Sequence, residues 1–244
     1  MAEAFPIFVL TLEGDEERRA PLVAWLLDHG LVFELFFGVD GRAGLSGDWE
    51  ASIDLANAVV RLGRKMGDGE FACALSHQEI YRAVLERGLP GAVVFEDDAV
   101  PGDGLVGFLQ ARAYHGAPMM LLDHADTRAV RGARVALPGG GLAGHPVAVP
   151  LFYANAYTVD AWAARFMRDA SLPISFVADW PCDILRIGAL AVMRRVAGHP
   201  AQGKGPSHLD RERQVKQQRF ARFVTWGYWL RWWRKRRSVR LPDA

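Results

Sequence analysis

The 244-residue sequence predicts an α/β fold, a single mixed sheet flanked by helices. Two observations carry that reading. Short apolar runs at Phe5–Thr11, Leu31–Phe37, Gly91–Phe95 and Pro118–Leu122 alternate with longer stretches of helical spacing. The first such stretch, Glu13–His29, lies between two of the runs, giving a strand–helix–strand opening.

Taken in order, Phe5–Thr11 (FPIFVLT) reads as a buried strand. In Glu13–His29, Leu22, Trp25, Leu26 and His29 share one face, and Gly30 stops the helix. Leu31–Phe37 is the second strand, and Gly38–Trp49, rich in Gly and Asp, is loop. Ala51–Gly63 is a weak helix and Asp68–Arg87 a stronger one, ended by Gly88 and Pro90. Gly91–Phe95 is a strand that runs directly into Glu96-Asp97-Asp98. A helix is expected over Asp103–Tyr114, a strand over Pro118–Leu122 and a loop over Ala125–His145. Val147–Phe152 reads as strand, Thr158–Asp169 as helix and Ile187–Val196 as a last strand.

Half of the residues are apolar, so a sizeable core can be buried. The first residues carry no basic stretch followed by an apolar one, and no run is long enough to span a bilayer. Cys73 and Cys182 are the two cysteines, too few for a disulfide framework, and the expected setting is cytoplasmic. The net charge of +1 hides an asymmetry: residues 211–240 carry +10 and the remainder −9. The expected division is therefore a domain over 1–208 and a basic aromatic tail over 209–244.

An apolar strand that ends in three carboxylates is the strongest local signal. Ligands of open α/β sheets sit at the carboxyl ends of strands. Three adjacent negative charges repel unless a cation offsets them, and oxygen-only ligands suit Mg²⁺ or Mn²⁺. A solvated acidic turn would carry the same residues, so both readings stand. On the helix from Asp68, Glu70, His77 and Tyr81 share one face. They would line a pocket or form a hydrogen-bonded helix edge. Arg18 and Arg19 suit donor phosphates, or a lattice of pairs with Asp15, Glu16 and Glu17. Asp179 and Asp183 flank Trp180-Pro181, a setting for a base at a sugar site or for a helix N-cap.

Several segments together resemble glycosyltransferase family 25, which includes β-galactosyltransferases of lipopolysaccharide outer-core synthesis. VLTLEGDEERR resembles its opening, with Thr11 where the family has Asn. FFGVDGR (Phe36–Arg42) resembles its A-V-D-G-R segment, and GEFACALSHQEIYRAVLERGLPGAVVFEDDAV (Gly69–Val100) its most distinctive stretch. ANAYTVDAWAARF, PISFVADWPCD and SHLDRER resemble its later elements. The resemblance implies a GT-A-like nucleotide-diphospho-sugar transferase fold. It also implies inverting transfer of a hexose, often galactose, from a UDP donor to a saccharide such as lipopolysaccharide core. On that basis Glu96 and Asp98 would hold Mn²⁺ or Mg²⁺. Leu12, Arg18, Asp40, Glu70, His77, Glu96 and Asp97 would contact the donor. Asp179 would be the general base, with Asp183 its rival. A metal-dependent phosphohydrolase and a non-catalytic relative of the same fold are the competing functions.

The tail carries four of the eight tryptophans among eleven Lys/Arg. A basic aromatic helix suits an anionic membrane surface, and hence a lipid-linked saccharide acceptor. Packing on the domain is the alternative. Nucleic acid is disfavoured because the acidic body repels a polyanion.

Overall fold

A computed structural model describes residues 3–138, 141–150, 152–200 and 226–241, apart from the side chains of 226–228 and 230. The expected mixed sheet flanked by helices is present. Strand β1 (Ile7–Thr11) leads into helix α1 (Glu16–Asp28) and strand β2 (Glu34–Phe37). A 3-10 turn (Gly47–Ser52), α2 (Leu55–Leu62) and α3 (Asp68–Glu86) precede β3 (Gly91–Glu96). Then come β4 (Val100–Pro101), α4 (Leu105–Gln110), a 3-10 turn (Ala113–Gly116) and β5 (Met119–Leu121). Strands β6 (Arg128–Val130), β7 (Val135–Ala136), β8 (Ala143–Val149) and β9 (Ala156–Asp160) lead to α5 (Ala161–Ser171). A 3-10 turn (Ile184–Ile187), β10 (Leu190–Met193) and β11 (Ala197–Gly198) follow. After the undescribed stretch 201–225 come α6 (Trp226–Arg236) and β12 (Ser238–Arg240).

The sheet order is β12-β6-β8-β10-β5-β9-β3-β1-β2, with β7 paired to β8. β1 pairs in parallel with both β2 and β3. β9 lies antiparallel between β3 and β5, so β1, β3, β5 and β10 all run the same way. Alternation along each strand makes two cores. Phe8, Leu10, Val94, Leu121 and Tyr157 meet α3 and α5 on one face through Ile80, Tyr81, Val84 and Met167. Val9, Val93, Phe95 and Met120 meet α1 and α4 on the other through Leu22, Leu26, Leu105 and Phe108. The parallel strands therefore deliver their carboxyl ends to one edge, at Thr11, Glu96, Leu121 and Met193.

Three expectations need correction. Ala125–His145 is not a loop: it holds β6, β7 and the start of β8, and β6 pairs with β8 and β12. β12 lies more than a hundred residues away and β6 and β7 are only two or three residues long, so local composition could not reveal the pairing. Thr158 does not begin a helix. Tyr157, Thr158 and Val159 are fully buried in β9, and α5 starts at Ala161, capped by Asp160 accepting from Ala163 N at 2.7 Å. The strand expected at Val147–Phe152 lies earlier, at Ala143–Val149. Both cysteines are free thiols.

Candidate active site

Why β3 ends where it does follows from its neighbours. Val93 and Val94 have no exposed surface, and the strand stops once its chain reaches three charged side chains. The Glu96 amide is still fixed by the Asn155 carbonyl at 2.7 Å. Asp97 turns inward. Its Oδ2 accepts from the Thr11 hydroxyl at 3.0 Å, and its Oδ1 lies 2.7 Å from Arg18 Nε, an ion pair without hydrogen-bond alignment. Arg18 Nη2 donates to Asp98 Oδ2 at 2.7 Å. Asp98 Oδ1 is buried and has no hydrogen-bond partner among the described residues. His199 Nε2 stands 3.7 Å from Asp98 Oδ2, and its ring stacks on Tyr153.

Glu96 points to α3. His77 Nε2 is 3.3 Å from Glu96 Oε1, and His77 Nδ1 is 2.8 Å from the Tyr157 hydroxyl. Burial pushes the Asp97 carboxyl up to about 6, against the pull of Arg18 and Thr11. Burial and then the charge of Glu96 raise Asp98. Glu96 lies below its ordinary value: burial opposes its charge, but the His77 hydrogen bond and the Arg18 charge outweigh it. Among the described residues, three carboxylates thus share a site with one guanidinium, which leaves negative charge in excess there.

The other expected site residues fall into two groups. Around the β1–α1 turn, the Leu12 carbonyl accepts from Arg19 Nη1 at 3.3 Å. Asp40 grips Arg42 (Nη2 to Oδ2, 2.7 Å), and Arg42 also reaches Asp15 and the Glu13 carbonyl. Gly38–Asp40 is held to α3 by Ser76, whose hydroxyl accepts from Val39 N at 2.8 Å. Gly41 has to be glycine: a Cβ there would sit 2.7 Å from the Asp68 carbonyl. A cleft of about 450 Å³, lined by Gly38, Val39, Asp40 and Trp49 among others, opens beside this loop. Arg19 makes the i,i+3 pair with Glu16, whereas Arg18 turns to the carboxylates.

Glu70 and Asp183 are engaged in holding elements in place. Glu70 accepts from Arg64 at 2.5 and 2.6 Å and from Gly67 N at 3.2 Å, closing the start of α3. Asp183 accepts from Leu185 N at 3.3 Å and meets Arg234 of α6 at 3.2 Å. Asp179 Oδ1 accepts from Ala154 N at 3.1 Å, one residue before the Asn155 that fixes Glu96. Asp179 is thus tied to the backbone that adjoins the carboxylates.

The sequence reading missed Thr11 as a partner of Asp97, and it missed Asp123, Asn155, Arg195 and His199. Asp123 has no exposed surface, ion-pairs with Arg195 Nη1 at 3.2 Å, and its Oδ2 has no hydrogen-bond partner among the described residues. Burial raises its carboxyl against the opposing charge of Arg195. The strand-end rule that singled out Glu96 applies equally to Asp123, just past β5, and would have found it.

A divalent cation fits this chemistry. The unpaired oxygen of Asp98 and the excess of carboxylate charge are what an oxygen-seeking ion would satisfy. The profile of glycosyltransferase family 25 (LPS biosynthesis protein) matches residues 4–130, just over half of the chain. The lacto-N-neotetraose biosynthesis glycosyltransferase LgtB of Neisseria meningitidis serogroup B is 31% identical over 106 residues, 43% of this chain and 37% of that protein. A probable inactive glycosyltransferase 25 family member 3 of Rattus norvegicus is 34% identical over 95 residues, 38% of this chain and 17% of its own length. Procollagen galactosyltransferase 1 of Danio rerio is 30% identical over 95 residues, 38% of this chain and 16% of its own. The chain thus spans little more than a third of LgtB and about a sixth of the two animal proteins. The matched residues 4–130 contain β1, α3, β3 and the acidic cluster, and on them the chain belongs to glycosyltransferase family 25.

Proposed function

We propose that the chain is a metal-dependent, inverting hexosyltransferase that uses a UDP-sugar, galactose favoured, and a saccharide acceptor such as lipopolysaccharide core. The observation that carries this is the buried oxygen of Asp98, unpaired among the described residues, within three carboxylates that a single described guanidinium answers. Asp98 and Glu96 would hold Mn²⁺ or Mg²⁺, which supplies charge stabilisation for a departing diphosphate. His77, held by Tyr157, orients Glu96. Arg18 fixes Asp97 and Asp98 in one orientation, and the Gly38–Asp40 loop with Trp49 forms a wall for the nucleoside. Asp179, held by Ala154 N, takes the proton of the acceptor hydroxyl as that oxygen attacks the anomeric carbon and the nucleoside diphosphate leaves.

Calorimetric titration with UDP-galactose and UDP-glucose, with and without Mn²⁺, tests this. Metal-dependent binding that is lost in Asp98→Ala supports it. Donor binding indifferent to metal and to Asp98→Ala would refute it. No donor binding would favour a non-catalytic role, such as the names of the inactive relatives describe.

A second observation favours docking at a membrane. Among the described residues no helix is long and apolar enough to cross one. In α6, however, Trp229, Trp232 and Trp233 are 54, 40 and 48% exposed, and Arg236 and Arg237 lie over Trp232 and Trp233. Indole beside guanidinium suits the headgroup level of an anionic leaflet, so residues 211–240 would hold the enzyme at the cytoplasmic face near a lipid-linked acceptor. Residues 211–225 lie outside the described part of the chain.

A further inference from the structure

The distinctive stretch of α3 holds a thiol that the transferase reading leaves unused. Cys73 lies one helical turn before His77, so both side chains leave α3 on the same face. That face meets the end of β3, and the ligand atoms of Cys73, His77 and Glu96 all lie within 4.8 Å of one another. Among the described residues no other trio of Cys, His, Asp or Glu is so placed.

We propose that Cys73, His77 and Glu96 bind a zinc-class cation, at a site that shares Glu96 with the all-oxygen site at Asp98 but draws its other ligands from α3. The donor chemistry decides the class. A thiolate, an imidazole and one carboxylate select Zn²⁺ and its mimic Co²⁺, whereas Mg²⁺ and Mn²⁺ prefer oxygen alone. The imidazole is already oriented for the task. The Tyr157 hydroxyl holds Nδ1 at 2.8 Å and leaves Nε2 facing Glu96 at 3.3 Å. Zinc–ligand distances are about 2.0–2.3 Å, so side-chain adjustment of about an ångström gathers the three atoms. The fourth position falls to water. On binding, the Cys73 thiol gives its proton to solvent, the neutral His77 ring carries its proton on Nδ1 with the Tyr157 hydroxyl accepting it, so that the Nε2 lone pair faces the ion, and no oxidant or reductant is involved.

The site stands without the transferase reading, but one consequence rests on it. Glu96 belongs to both sites, so a zinc-class ion at Cys73 would pull Glu96 from donor binding and silence the enzyme.

Co²⁺ added to the reduced full-length protein is the direct test. The expected result is a thiolate-to-cobalt charge-transfer band in the near ultraviolet, kept in Cys182→Ser and lost in Cys73→Ser. No band, or a band that survives Cys73→Ser, overturns the proposal. A second measurement needs no variant: alkylation of Cys73, followed by peptide mass spectrometry, should slow about tenfold or more when Zn²⁺ is present. Equal rates with and without Zn²⁺ overturn it too. Neither measurement involves a sugar donor, so failure here is separate from failure of the transferase reading.

Discussion

Arg64→Ala tests what Glu70 is for. The Glu70 side chain is 1% exposed and Arg64 12%, so the pair is nearly dry. Arg64 contacts both Glu70 carboxylate oxygens, at 2.5 and 2.6 Å. Removing one partner of a buried pair strands the other charge and costs about 3–5 kcal/mol. The Gly67 amide stays at 3.2 Å, and some water reaches the vacated Arg64 position, so the lower end, about 3 kcal/mol, applies here. For a chain of this size each kcal/mol moves Tm by roughly 2–4 °C, giving a fall of roughly 6–12 °C. The double variant Arg64→Ala/Glu70→Gln removes the stranded charge while its amide oxygen still caps α3, so it should recover part of the loss. Thermal unfolding followed by circular dichroism reads both, and donor titration on the same samples should show affinity unchanged. The reasoning fails if Arg64→Ala melts with the wild type, or if the double variant is no more stable than the single. A loss of donor affinity at unchanged Tm would instead support Glu70 as a donor contact.

Three further outcomes are expected. Asp179→Asn should keep donor binding and lose about 10²–10⁴-fold in turnover, read by product formation under saturating donor; normal turnover would remove Asp179 as the base. Ser76→Ala leaves the Val39 amide without its acceptor, so stability should fall by about 1 kcal/mol with a rise in donor KM, measured by denaturant titration and steady-state kinetics. Trp229→Ala/Trp232→Ala/Trp233→Ala should abolish flotation with anionic vesicles while leaving Tm within a few degrees, because these indoles are about half exposed; undiminished flotation would sink the membrane reading.

The fold was legible where a local pattern decides it. β1, α1, α3 and β3 rest on continuous apolar runs or on one long amphipathic face, and each was placed within a few residues. Strands β6, β7 and β12 were not legible, because two or three residues owe their strand state to pairing partners, remote for β12 and β6 and the adjoining β8 for β7, rather than to an apolar run of their own. The acidic cluster was visible as residues but not as a circuit. Nothing in the local sequence says that Arg18 spans 80 positions to reach Asp98, or that Thr11 spans 86 to reach Asp97. The motif Gly69–His77 also divides on inspection of its contacts. Glu70 closes the helix start, Ser76 fastens the Gly38–Asp40 loop, and His77 reaches the carboxylates. A shared sequence signature cannot separate scaffolding from chemistry.

The strand Ser238–Arg240 changes how the C-terminal region should be dissected. It covers the outer side of β6, pairing Ser238 with Val130 and Arg240 with Arg128, while the Arg128 guanidinium donates to the Ser238 hydroxyl at 2.8 Å. A chain cut before Trp226 therefore loses more than its aromatic helix. It uncovers a row of amides and carbonyls on β6, a template for pairing with a second molecule. Such a truncation would aggregate, and sedimentation or flotation of aggregates would pass for a change in lipid binding. Point substitutions that leave Ser238–Arg240 in place avoid this, and an appended affinity tag belongs at the other end of the chain.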